Sequence, residues 1–248
     1  MCVAALAWNM HPEWQLVAIG NRDEMHARPA LALHRWNDSP IIAGQDCESG
    51  GTWLGIGHAG TPAWRFALVT NLRSPDREPG TPRSRGLLVA DCLTGETQPQ
   101  PQAHRYNPFN LITADAGGIQ IASNRPRFHS REENSGYHAL SNGPLDERWR
   151  TSDFLIARLR DWVENGEGDI APLFDALARR SLPGMQPNPS RLSPETVAES
   201  PPFILDPVYG TRCSTICAIH RDGHGFIAER RFDGSGATTG ETTIAFPG

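Results

Sequence analysis

The sequence predicts an α+β fold in which antiparallel sheets are covered by helices. Three observations lead there. Short apolar runs recur in pairs across turn-rich connections, which is the pattern of hairpins. Two later stretches carry helical periodicity with start and stop signals. The 24 glycines and 21 prolines among 248 residues mark many turns without the excess of a disordered chain.

The elements follow in order. Residues 2–8 (CVAALAW) and 15–20 (QLVAIG) flank NMHPEW and read as a first hairpin, with NRDEMHARPA as a polar connection after it. Strands are expected at 52–57 (TWLGIG) and 66–71 (FALVTN). SPDREPGTP (74–82) reads as a loop and 83–93 (RSRGLLVADCL) as a helix. Strands at 109–114 (FNLITA) and 118–123 (GIQIAS) enclose the turn Asp115-Ala116-Gly117, and a short strand is expected at 137–142 (YHALSN). The stretch 151–164 predicts a helix: Thr151 or Ser152 can cap it, Leu155, Leu159 and Trp162 share a face, and Gly166 follows. A second helix near 170–181 has Pro172 in its first turn and Leu173 and Leu177 on one side. A Pro/Ser-rich loop covers 183–203. The strands 213–220 (CSTICAIH) and 225–232 (GFIAERRF) form a closing hairpin. No repeat or boundary divides the chain, so residues 1–248 read as one domain.

Composition excludes several function classes. All 23 basic residues are arginine, so Schiff-base, pyridoxal, Walker A and kinase chemistry, each of which needs a lysine, are out. The net charge of −5 and the lack of a basic block argue against nucleic-acid binding. No apolar run approaches the roughly 18 residues of a membrane span. The first residues lack a basic region and a cleavage signature, so a cytoplasmic protein with reduced thiols is expected.

Three motifs read as structural. Gly55-Ile56-Gly57-His58-Ala59-Gly60 spells G-x-G-x-x-G, but a strand-like run follows where a dinucleotide site needs a helix. Cys213 and Cys217 lie about 13 Å apart along one strand, too far to share a metal ion. His220 and His224 flank a turn, and two histidines alone make a poor site. No metal or cofactor is expected.

Cys2 is the residue that carries chemistry. Removal of the initiator methionine would place its thiol beside its own α-amine, so nucleophile and base come from one residue. Asn21-Arg22-Asp23-Glu24 ends the first hairpin, which returns the chain to Cys2. Arg22 would lower the thiol pKa and Asp23 would hold the α-amine. Asn71, Asn142 and Arg212 stand at other strand ends, and amides there suit an oxyanion hole.

These features resemble the NRDE family, the transport and Golgi organisation proteins. The matching residues are the MC start, NRDE with Arg28-Pro29, GGTWLG (50–55), VTNLR (69–73), SNGPLD (141–146) and YGTRCST (209–215). The chain is more distantly similar to cysteine N-terminal-nucleophile hydrolases such as penicillin V acylase and choloylglycine hydrolase. That resemblance implies a four-layer αββα sandwich and passes catalytic roles to Cys2, Arg22, Asp23, Asn142 and Arg212, with Asn71 as a further oxyanion donor. It implies cleavage of an acyl amide or thioester, with Arg212 as a holder of a substrate carboxylate. The alternative that the family implies is a non-enzymatic carrier of haem, or of lipid or acyl-CoA, using the same cleft.

Overall fold

The computed structural model describes residues 2–73, 82–96, 100–165, 168–185 and 200–248. Expectations for Gly166 and for most of the two loops, at 74–82 and 183–203, fall outside those residues.

Two antiparallel sheets stack face to face. The first is built from β1 (Cys2–Trp8), β2 (Trp14–Met25), β10 (Gly136–Leu140), β11 (Tyr209–His220), β12 (Gly225–Phe232) and β13 (Thr238–Phe246), in the order β10-β1-β2-β11-β12-β13. The second runs in simple succession through β3 (Ala30–Arg35), β4 (Ile41–Asp46), β5 (Leu54–Gly57), β6 (Arg65–Asn71), β7 (Phe109–Asp115), β8 (Gly118–Ser123) and β9 (His129–Glu133). Helices α2 (Arg150–Asn165) and α3 (Ala171–Leu177) pack on the outer face of the first sheet. Helix α1 (Arg85–Thr94) packs on the outer face of the second. The layers are therefore αββα, the α+β sandwich expected.

The side-chain pattern explains the stacking. β1 is buried along its whole length. Ala4, Leu6 and Trp8 face the second sheet, while Val3, Ala5 and Ala7 face the helices. A strand buried on both faces reads as an unbroken apolar run. Between the sheets these residues meet Ile56, Phe66, Leu68 and Ile112. Gly20 lets the layers close: a Cβ there would lie 2.7 Å from Val3 O and 3.0 Å from the ring of Trp53, the residue before β5.

Several boundaries differ from expectation. Asn21–Met25 are not a loop but the end of β2, because β11 pairs with that stretch on its far side, Asp23 opposite Thr211 and Met25 opposite Tyr209. Strands β3, β4, β9 and β13 add to those anticipated. Three of these are sheet edges, and β3, β9 and β13 are largely exposed, so polar side chains dilute their alternation. Thr151 and Ser152 lie inside α2 rather than capping it, and the Thr151 hydroxyl donates to Ser200 O. Helix α3 ends at Leu177, shorter than expected, although Leu173 and Leu177 are buried as one face. No helix among the described residues is long and apolar enough to cross a membrane.

Candidate active site

Strand pairing gathers the candidates at one end of the first sheet. Cys2 is opposite Arg22, and Arg22 is opposite Cys213, so these three side chains share the inner face with Ala4 and Leu6. Asp23, one residue on, turns to the outer face, where Thr211 Oγ1 donates to its Oδ1 at 2.7 Å. Leu140 is opposite Ala4, so the chain leaving β10 passes Cys2 two residues later. Asn142 stands there, 1% exposed, and its Oδ1 accepts from Cys2 N at 3.2 Å. Its Nδ2 donates to Asn71 O at the end of β6.

Each candidate can now be placed. Cys2, Arg22, Asp23 and Asn142 come together. Asn71 reaches the group through its backbone carbonyl, and the residue itself is exposed. The Asn142 amide holds the Cys2 nitrogen through Oδ1 and spends one of its two Nδ2 hydrogens on Asn71 O. Arg212 borders one cavity together with Arg22 and Cys213. It is the extra residue of a β-bulge between Thr211 and Cys213, which removes it from the alternation of β11. Its Nη1 donates to the carbonyls of Met25, His26 and Arg28, so it braces the turn after β2.

Electrostatics follow from burial. Burial pushes the Cys2 thiol up, against a nearby amino-terminal charge, a backbone N–H of Asp23 and Arg22, which lower it. Asp23 is pushed up to about 6, mainly by burial, although the amino-terminal charge, the Thr211 hydrogen bond and Arg22 oppose this. Arg22 Nη2 donates to Asp46 Oδ2 at 2.9 Å. Burial would raise Asp46 too, but Arg28 and Ser49 donate to it and hold it below the usual carboxylate range. The Cys213 thiol is pushed well up by burial and by Glu229.

Three cavities adjoin this group. One of about 20 Å³, the size of a single water, is bordered by Cys2, Asp23, Asn142, Trp149 and Thr151. A second, of about 290 Å³, shares Ser141 and Trp149 with it. Two buried polar atoms without partners, Trp149 Nε1 and Asn110 Oδ1, belong to residues that line this second space. The third, of about 240 Å³, lies between the sheets against Arg22, Asp46, Trp53 and Cys213. Among the described residues no trio of metal-ligating side chains stands at this end of the sheet.

Sequence reasoning passed over Thr211, Asp46 and Trp149. Thr211 lies inside the YGTRCST string, but nothing local pairs it with Asp23. Asp46 and Trp149 carry no motif signal.

The whole chain is similar to known proteins. Residues 1–234 match the family described as Transport and Golgi organisation 2. The Transport and Golgi organization protein 2 homolog of Bos taurus is 31% identical, over 98% of this chain and 97% of that protein. The Homo sapiens homolog is 30% identical, over 93% and 92%. A solved structure, the Caenorhabditis elegans N-acylethanolamine-hydrolyzing acid amidase (NAAA) ortholog, superposes with a TM-score of 0.48 at 12% identity, covering 89% of this chain and 93% of that one.

Proposed function

The chain belongs to the Transport and Golgi organisation 2 family, and from that premise we propose that it is an N-terminal-nucleophile hydrolase or acyltransferase acting on an amide or thioester. One observation carries the reading: the backbone nitrogen of Cys2 is held by a buried side chain, Asn142 Oδ1, beside the buried carboxyl of Asp23. Any buried N–H needs a partner, but a side-chain acceptor in this place can also hold a freed α-amine beside its own thiol.

The mechanism needs removal of Met1. The freed amine then takes the Cys2 thiol proton, directly or through a water in the small cavity. This supplies the thiolate that burial otherwise disfavours. Sulfur attacks the acyl carbonyl, forming the C–S bond, and the carbonyl oxygen becomes an oxyanion. The second Nδ2 hydrogen of Asn142 and the Asn71 side chain at the lip of β6 are the donors assigned to it. The α-ammonium, held by Asn142 and by ionised Asp23, passes its proton to the leaving group as its bond to carbon breaks. Water, deprotonated by the regenerated amine, then cleaves the thioester and restores the thiol. Arg22 adds a positive charge on the Cys2 side of the inner cavity, and Arg212 is a positioning residue that fixes the turn after β2.

The experiment begins with intact mass, which should lack one methionine. A panel of acyl amides and thioesters should then be turned over by wild type and not by Cys2→Ala, with both folded by circular dichroism. The chain has no lysine, so an amine-selective reagent has one aliphatic primary amine to modify once Met1 is gone. Verified capping should remove activity. Full activity in Cys2→Ala or after capping overturns the proposal, and stoichiometric haem uptake by both proteins without turnover would favour the carrier instead.

A further inference from the structure

The hairpin joining β11 to β12 lies at the other end of the first sheet. Cys213 and His220 are seven residues apart on β11, about 23 Å at strand rise. At this tip Asp222 stands between His220 and His224. His220 Nδ1 and His224 Nδ1 lie 2.9 Å and 2.5 Å from the same oxygen, Asp222 Oδ1. One ligand atom from each of the three residues falls within 4.8 Å of the others. We propose that this tip is a binding site for a divalent transition-metal ion of the zinc class.

The turn is held mostly by its backbone, with one ring contributing as the Asp222 N–H donates to His220 Nδ1 at 3.3 Å. It is closed by backbone bonds, His220 N to His224 O at 2.8 Å and Gly223 N to His220 O at 3.0 Å, and by His224 N donating to Asp222 Oδ1. The imidazoles converge on that oxygen in addition. They stack with centroids 4.2 Å apart, and Trp14 presents its ring edge-on to both. Arg221, the nearest cation in sequence, is drawn away: its guanidinium donates to Asn9 Oδ1, His11 O and Pro12 O. The tip is thus braced against the turn between β1 and β2.

Two imidazole nitrogens and one carboxylate suit zinc, cobalt, nickel or copper(II). Magnesium and calcium prefer sets of oxygen ligands. On binding, the ion replaces the two ring contacts to Asp222 and the Asp222 N–H bond to His220 Nδ1, coordination through Nδ1 leaves each ring proton on Nε2, and a fourth position remains for water. Three ligands within five residues, on a hairpin already closed, bring little ordering cost to the binding step.

The test uses the full chain stripped with chelator. Calorimetric titration with zinc should show one equivalent bound, and magnesium or calcium should give no heat. His220→Ala and His224→Ala should each weaken zinc binding at least tenfold. His224→Gln should do the same with an unchanged circular dichroism spectrum, which covers the case of a variant that misfolds. Cobalt should give visible d–d bands without a thiolate charge-transfer band, and Cys47→Ser, which removes the exposed thiol, should leave the titration unchanged. No heat with zinc, one equivalent that survives every histidine change, or a thiolate band would each overturn the proposal. None of these readouts depends on Cys2 chemistry.

Discussion

Asp23 shows how one buried group links stability to chemistry. Its carboxyl is raised from 3.8 to about 6, with burial the main cause. The native chain therefore holds a proton that the unfolded chain has released between those two values. The sign follows: this contribution is fullest below pH 3.8, falls as pH rises towards 6, and is level above. Urea unfolding of wild type and Asp23→Asn should show a stability difference that shifts against wild type by up to about 3 kcal/mol across that window. A pH-independent difference would remove the shift. In the processed enzyme the ammonium sits closer and lowers Asp23, so kcat/KM should acquire an acid limb below about pH 6. Asn142 makes a second residue-scale prediction. Asn142→Ala leaves the Cys2 N–H and the Asn71 carbonyl without their partner, and should cost about 1–3 kcal/mol in urea unfolding.

The elements tolerate little spacing error. Gly57 ends β5 directly under α1, and a Cβ there would lie 2.0 Å from the Leu93 carbonyl oxygen. Gly57→Ala must push the helix outward and should cost about 1–3 kcal/mol, read as a lowered Tm. Gly118→Ala, at a position with nothing within 4 Å, is the control and should change Tm little. The same closeness explains why G-x-G-x-x-G occurs here. Gly55 and Gly57 belong to β5, where Gly55 faces the Leu93 side chain and Ala43, and the chain continues into antiparallel β6. Gly55 and Gly57 serve helix-on-sheet packing, while Gly60 turns the chain at φ +78° close to Pro247 O.

At the scale of the whole molecule, the candidate site is assembled from both sheets. Thr70 Oγ1 on β6 donates to Ser141 O at 2.6 Å, Asn110 Nδ2 on β7 donates to Gly143 O at 2.8 Å, and Arg73 N donates to Asn142 O at 2.8 Å. These bonds fasten the segment after β10, which carries Asn142, to the end of the second sheet. Thr70→Val removes one of them and should cost about 1 kcal/mol in stability. It should also lower kcat more than it raises KM, because Asn142 positions the attacking group. Equal kcat in that variant would dissociate the inter-sheet tie from catalysis.

Some of this was legible in residues alone. The apolar run CVAALAW announces the first strand of a hairpin, and the helical spacing of Leu155, Leu159 and Trp162 gives α2 one apolar face. The ordered family strings identify Cys2 and Asp23 together. Alternation in a strand tells which side chains share a face, but not which strand lies beside it. Tertiary structure alone supplied that. It brought Thr211 to Asp23, 188 residues away, and Asn142 to Cys2, 140 residues away. It also converted Arg212 into a brace by a single bulge, and set Asp222 between two histidines that the sequence had left as a pair. Each is a matter of register and turn geometry. A one-residue slip would send each of those side chains to the opposite face, and only the packed sheets exclude it.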